Sequence, residues 1–223
     1  MQYKIHNEGW VYLVITLIIA IIFIPFFIIL SFIFFFLSFF IYYFFRDPIR
    51  SIPAEELIVS PADGTVTFIG EVDAPDIINS DSKYIKISIF LSIFNVHVNR
   101  IPCNGTIKKV NYINGKFFNA SFDKSSDQNE RNEIILKNSD NEELLIVQIA
   151  GLIARRIVCN IKENQDVYQG HRFGIIKFGS RVDLFIPNKY KPLVAEGQTV
   201  IGGESILANP HNIQHIRNYL YLG

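Results

Sequence analysis

The sequence predicts a mostly β domain, barrel- or sandwich-like, preceded by an N-terminal transmembrane helix or helical hairpin. Three observations predict it. Gly9–Phe45, a run of 37 residues, holds no charged side chain. Beyond Phe45 the chain reads as short β-branched and aromatic runs separated by Gly, Asn and Asp turns. No stretch there sustains a long 3.6-residue apolar period.

The composition is split along the same line. Eleven of the 20 Phe precede residue 46, whereas the 178 residues after Phe45 carry 20 basic and 20 acidic side chains. That second part is an ordinary soluble composition and long enough to bury a core. The formal net charge of zero excludes a polyanion-driven nucleic-acid binder, which needs a basic surplus to displace phosphate counterions.

As one straight helix, Gly9–Phe45 would be about 55 Å long against a hydrocarbon core of about 30 Å. Pro25 interrupts the helical ladder near its middle. Either a single tilted span with an interfacial extension or a hairpin, Val11–Ile24 and Phe26–Phe45, satisfies these facts. The first arm is short for a full crossing, so a hairpin would be partly re-entrant. No small-residue cleavage site follows the run, so it is not read as a removable signal peptide. Lys4 lies on one side, Arg46 and Arg50 on the other, and positive flanks favour the cytoplasmic face. Cys103 and Cys159 lack CxxC spacing, so neither a disulfide framework nor a zinc site is indicated, and both are read as buried free thiols.

Arg46–Glu56 reads as a polar linker with Pro48 and Pro53. Strands are then expected at Leu57–Val59, Thr65–Ile69, Tyr84–Phe94, Glu133–Leu136, Leu144–Ile149, Ile157–Ile161, Gly174–Phe178, Val182–Ile186 and Thr199–Leu207. Asn138-Ser-Asp-Asn-Glu142 is a hairpin signature between two of them. The tail Asn212–Leu222 is read as a short helix, with Ile213, Ile216 and Leu220 on one side.

Four clusters hold chemistry-bearing residues. In Val59-Ser-Pro-Ala-Asp-Gly-Thr65, Asp63 has the ordinary reading of a turn residue bonding nearby amides. In Phe94-Asn-Val-His-Val-Asn-Arg-Ile-Pro-Cys-Asn-Gly105, His97 ends an apolar strand among Asn95, Asn99 and Arg100. A lone histidine is usually structural, but one at a strand end reaches a cleft, and its ordinary pKa suits proton transfer. The third cluster joins Gly115-Lys-Phe-Phe-Asn-Ala-Ser121, Asn129-Glu-Arg131 and Gln148-Ile-Ala-Gly-Leu-Ile-Ala-Arg-Arg156. It reads either as a surface loop or as a rim that meets lipid or closes over substrate, with Arg155 and Arg156 as solvated side chains or ligands of a phosphate. In the fourth, Gly174–Pro187, a strand runs into Gly179-Ser180 and another begins at once. Glycine leaves the carbonyl before Ser180 open to attack by the serine hydroxyl, although a strand bulge explains the dipeptide equally.

Together these stretches resemble the phosphatidylserine decarboxylase proenzymes of the short bacterial and archaeal type. The resemblance is carried by Tyr43-Phe-Phe-Arg-Asp-Pro48, Val59-Ser-Pro-Ala-Asp-Gly64, Phe94-Asn-Val-His-Val-Asn-Arg-Ile-Pro102, Gly115-Lys-Phe-Phe-Asn-Ala120, Gln148–Arg156, Phe178-Gly-Ser-Arg-Val-Asp183 and Gly197-Gln-Thr-Val-Ile-Gly-Gly-Glu204. They run in order over nearly the whole chain. The uncharged run gives a membrane anchor at residues 1–46, and the resemblance makes residues 47–223 a catalytic domain. It implies self-cleavage between Gly179 and Ser180 into a β chain, 1–179, and an α chain, 180–223, associated as an αβ heterodimer. Ser180 would become a covalent pyruvoyl group, the only cofactor, with no metal. That group would form a Schiff base with the serine amine of phosphatidylserine and accept the electrons released with CO2.

The resemblance further implies that Asp63 orients a histidine and that His97 acts in maturation, in turnover or in both. Longer bacterial relatives carry two histidines three apart, where this chain has His97 and then Arg100. They also continue Gly-Ser with a small hydroxyl residue, where this chain has Arg181. The division of labour between the maturation base and the Cα proton donor therefore stays open. The implied setting is a bacterial inner membrane with the catalytic domain on its cytoplasmic face, since a headgroup enzyme must work where its lipid sits. Other readings remain at this stage: a membrane-anchored serine hydrolase built from Asp63, His97 and Ser180, without the Gly-x-Ser-x-Gly elbow, an anchored non-enzymatic β module, and a non-catalytic relative of the decarboxylase.

Overall fold

The computed structural model describes residues 3–115, 128–151, 156–177, 180–209 and 219–222. It divides into two compact units, Met1–Ile49 and Arg50–Leu222.

The first unit is a helical hairpin closed by a pair of short strands. β1 (Tyr3–Ile5) precedes α1 (Asn7–Phe23), and α2 (Ile28–Phe44) precedes β2 (Arg46–Pro48). β1 and β2 pair antiparallel, Tyr3 opposite Pro48, so both ends of the hairpin lie together. His6 caps α1 by accepting from Glu8 N–H. Pro25 stands in the turn between the helices, where Phe27 N–H still reaches Phe23 O at 2.8 Å. The hydroxyls inside the hairpin are satisfied within it. Ser38 Oγ donates to Thr16 Oγ1 at 2.8 Å, and Ser31 Oγ donates to Ala20 O at 2.7 Å. The outward faces remain apolar, and the tip exposes Phe26, Phe27, Ile28 and Ile29.

The expectation of a transmembrane span is corrected here. Each helix has 17 residues, about 25 Å of rise. No helix among the described residues is long and apolar enough to cross a membrane. Of the two arrangements open in the sequence, the chain adopts the hairpin.

The second unit contains, in chain order, β3 (Arg50–Pro53), β4 (Ile58–Val59), β5 (Gly64–Asp73), β6 (Lys83–Leu91), β7 (Val98–Arg100), β8 (Gly105–Ile113), β9 (Arg131–Asn138), β10 (Glu143–Ala150), β11 (Ile157–Cys159), β12 (Asp166–Val167), β13 (Arg172–Ile176), β14 (Ser180–Pro187), β15 (Thr199–Val200), β16 (Ile206–Ala208) and β17 (Tyr219–Leu222). Eight of them form one antiparallel sheet in the order β12-β8-β9-β10-β14-β6-β5-β15. A three-stranded sheet, β11-β13-β7, packs against β9 and β10, and the pairs β16-β4 and β17-β3 complete the unit.

The central strands are buried on both faces, which explains their almost unbroken apolar runs. On β10, Leu144, Ile146 and Ala150 join the main core with Ile87, Ile89 and Val182, while Leu145, Val147 and Ile149 join a second cluster with Tyr84 and Ile78. Period two assigns these faces, because successive side chains point to opposite sides of a strand.

Several elements differ from expectation. The run Tyr84–Phe94 ends as a strand at Leu91, because Asn95 Oδ1 accepts from both Ser92 N–H and Ser92 Oγ at 2.8 Å and closes a turn. Thr199–Leu207 is two short strands separated by a turn in which Gly203 takes φ +82°. The supposed linker holds β2 and β3. Within the supposed terminal helix, Tyr219–Leu222 is instead the strand β17 paired with β3, and residues 210–218 lie outside the described ones. β8 was not anticipated, since a register shift between Ile107 and Lys109 breaks its alternation. Cys103 is buried as expected, but Cys159 is only half-buried, and both are free. Burial pushes the Cys103 thiol up to about 12, with Glu56 adding to it.

Candidate active site

Ser180 opens β14 in the middle of the large sheet. It lies opposite Ala150 of β10 on one side and Leu91 of β6 on the other. It shares the inward face with Val182 and Leu184, and it is wholly buried. Among the described residues its Oγ has no hydrogen-bond partner, a state that costs a buried hydroxyl about 1–3 kcal/mol.

His97 reaches the same region through β7. Immediately after it, Val98 and Asn99 pair with Ile175 and Gly174 of β13, and Ile176 N–H donates to His97 O at 3.4 Å. Ser180 follows Ile176 by four positions, so His97 borders the segment leading into it. The imidazole is wholly buried. Its Nδ1 stands 3.0 Å from Asn95 O. A carbonyl only accepts, so the Nδ1 proton points there.

Asp63 sits in the turn between β4 and β5. Arg50 Nη2 donates to both of its oxygens at 2.8 and 2.7 Å, and Gly202 N–H donates to Oδ1 at 2.8 Å. Burial pushes its carboxyl above the ordinary range, against the pull of Arg50, Gly202 and the more distant Arg100. The turn is tied to the histidine strand by Arg100 N–H donating to Pro61 O at 2.9 Å. Among the described residues, the contact that orients His97 comes from Asn95, while Asp63 binds Arg50.

Arg100, where longer relatives have a second histidine, is buried and donates through Nη1 to Gly170 O at 2.9 Å. Arg181 faces away from Ser180 along β14. Its Nε lies 2.8 Å from Asp183 Oδ1 and its Nη2 donates to Asp183 Oδ2 at 3.0 Å, with Lys86 Nζ 3.3 Å from the same carboxylate. Arg156 is exposed, with its carbonyl 3.2 Å from Lys177 N–H and its charge felt by Tyr112. Gly179, Arg155 and residues 116–121 of the loop cluster lie outside the described residues.

The sequence reading missed a line of carboxamides inside the domain. Asn132 Nδ2 donates to Gln148 Oε1 at 2.9 Å, and Gln148 Nε2 donates to Asn99 Oδ1 at 2.8 Å. All three residues are wholly buried. Gln148 has room because position 174 is glycine: a Cβ there would sit 3.2 Å from Gln148 Nε2 and 2.2 Å from Val158 O. A signal was available, since Asn132 and Gln148 fall on the inward phase of otherwise apolar strands.

The match to a protein-family model described as phosphatidylserine decarboxylase covers residues 36–208. Relatives named phosphatidylserine decarboxylase proenzyme match along nearly the full length. The one from Ehrlichia chaffeensis is 50% identical over 208 residues, covering 92% of this chain and 91% of the relative. The one from Wolbachia of Brugia malayi is 46% identical over 209 residues, with coverage of 92% and 91%. The one from Ehrlichia ruminantium is 48% identical over 215 residues, with coverage of 96% and 94%.

Proposed function

We propose, for a chain that belongs to the phosphatidylserine decarboxylase family, that Ser180 is both the residue that cuts the protein and the source of its cofactor. Cleavage of the Gly179–Ser180 bond would give chains of 179 and 44 residues, the smaller beginning with a pyruvoyl group. The observation that carries this reading is the buried Ser180 Oγ, left without a hydrogen-bond partner among the described residues at the start of a central strand. The site fits the group, because a keto group needs no donor hydrogen placed and the strand holds it rigidly between β6 and β10. Once formed, the pyruvoyl supplies a carbonyl able to take up the electron pair left as CO2 departs.

The chain's own residues do the rest. His97, its Nδ1–H turned to Asn95 O, offers Nε2 to take or return a proton. Asp63 and Arg50 hold the turn beside the histidine strand. Arg156, with Arg155 before it in sequence, is the cation we assign to the headgroup phosphate.

The substrate is a membrane lipid, and each buried CH2 holds it in the bilayer by about 0.8 kcal/mol. We assign the hairpin to the same bilayer as an element that dips into one leaflet. Its two ends are paired through β1 and β2, so both stay on one side, the cytoplasmic one by the charges of Lys4, Arg46 and Arg50. The serine-hydrolase alternative is disfavoured by the engagement of Asp63 with Arg50.

The test is intact mass of the purified protein beside Ser180→Ala. Wild type should yield two fragments, the smaller blocked at its terminus and reactive toward a carbonyl reagent, and the variant should stay whole. An uncut wild-type chain would remove the reading.

A further inference from the structure

The carboxamide line Asn132–Gln148–Asn99 is open at both ends among the described residues, with an acceptor, Asn132 Oδ1, left over at one and a donor, Asn99 Nδ2, at the other. Each step uses one amide nitrogen and one amide oxygen, and the direction is the same in both hydrogen bonds. Asn99 spends its oxygen on Gln148 and keeps its Nδ2 hydrogens unspent; that nitrogen is buried with no partner. A cross-link between two sheets would need only the two bonds already made. An amide donor left idle in the interior costs about 1–3 kcal/mol, and such a group calls for a reason.

Its surroundings supply one. Gln148 is two residues before Ala150, which lies opposite Ser180. Both Gln148 and Ser180 are on the inward phase of their strands, so they are diagonal neighbours. Asn99 is two residues beyond His97 and lies opposite Gly174, on the strand that leads toward Ser180. Asn99 Nδ2 and Ser180 Oγ, like Ser88 Oγ and Asn132 Oδ1, are buried without a partner among the described residues.

We propose that Asn99 is a catalytic residue of the self-cleavage step. Its Nδ2–H donates to the oxyanion formed when Ser180 Oγ adds to the carbonyl carbon of the preceding peptide bond. In that step the Oγ–C bond forms and the Oγ proton passes to His97 Nε2, which returns it to the departing nitrogen. The C–N bond to residue 180 then breaks, and the nitrogen departs as an amine carrying a proton. Gln148, itself fixed by Asn132, is the positioning residue that aims Asn99. A preorganised donor needs no rearrangement when the charge appears, which is the source of its effect on rate. The inference rests on the self-cleavage reading above and deepens it.

The experiment follows cleavage of the full chain made by cell-free synthesis with phospholipid vesicles, sampled over time by intact mass. Asn99→Leu and Asn99→Ala should each cleave about 100- to 1,000-fold more slowly than wild type, the loss seen on removing one oxyanion donor. Asn132→Leu, at the far end of the line, should slow cleavage much less. The same substitutions in the uncleavable Ser180→Ala chain report folding, and Asn99→Ala there should keep a cooperative melt. Either Asn99 variant cleaving at the wild-type rate would overturn the assignment. Equal slowing by Asn132→Leu and Asn99→Ala would also overturn it and leave the line as inter-sheet support. A wild-type chain that never cleaves would instead sink the self-cleavage reading on which the inference stands.

Discussion

The backbone oxygen of Asn95 lies 3.0 Å from Nδ1 of His97. The contact is short-range in sequence, set by a turn that the Asn95 side chain itself closes on Ser92. It holds the ring from its Nδ1 side. His97→Ala should therefore lower fragment formation, CO2 release from labelled phosphatidylserine, or both, by about 100- to 10,000-fold, the usual span for a lost general acid or base. Normal values for both would remove His97 from the mechanism.

The Arg50–Asp63 pair carries a stability prediction. Removing one partner of a buried ion pair costs about 3–5 kcal/mol, so Arg50→Met should lower the denaturant midpoint markedly. Burial raises the folded-state pKa of Asp63 despite Arg50. A raised carboxyl contributes stability that is present below its unfolded pKa and lost as pH climbs through the folded value. Without Arg50 the folded value should climb further, and stability should fall more steeply from acid toward neutral pH. Adding Asp63→Asn should flatten that slope; an unchanged slope would refute the account.

Gly174→Ala tests the crowding where β13 meets β11 and Gln148. The new methyl would stand 2.2 Å from Val158 O, so the backbone must move, and overpacking of this kind costs about 1–3 kcal/mol. Urea unfolding in the Ser180→Ala background measures this directly. No loss of stability would mean that the sheets can part there freely.

The hairpin tip is the fourth test. Phe26 and Phe27 are 72% and 63% exposed, and burying a Phe side chain in an apolar phase is worth about 1.5–3 kcal/mol. The double variant Phe26→Asp with Phe27→Asp should weaken co-flotation with phospholipid vesicles at least tenfold. Wild-type flotation would dissociate the tip from membrane binding.

The β class and most strands were legible because buried strands are written in β-branched residues, and Leu144–Ile149 or Val182–Ile186 admits little else. The turn at Asp63 and the start of a strand at Ser180 were legible as local motifs. What was not legible depended on partners far away in sequence. Arg50 meets Asp63 only because β3 and the turn after β4 fold together. The strand β17 looks like a short amphipathic helix until β3 supplies its hydrogen bonds. The carboxamide line joins β7, β9 and β10, and no single stretch contains it.

The partners of the last strands have one more consequence. β14 lies between β6 and β10, β15 pairs with β5, β16 with β4, and β17 with β3. Each of these terminal strands takes its neighbour from before residue 180. A nick ahead of Ser180 would therefore produce two polypeptides woven into one sheet system, neither of which is a foldable body alone. Their separation would proceed at the rate of global unfolding, not at that of an ordinary subunit interface. Maturation would change covalent connectivity while leaving the lifetime of the assembly as long as that of the fold.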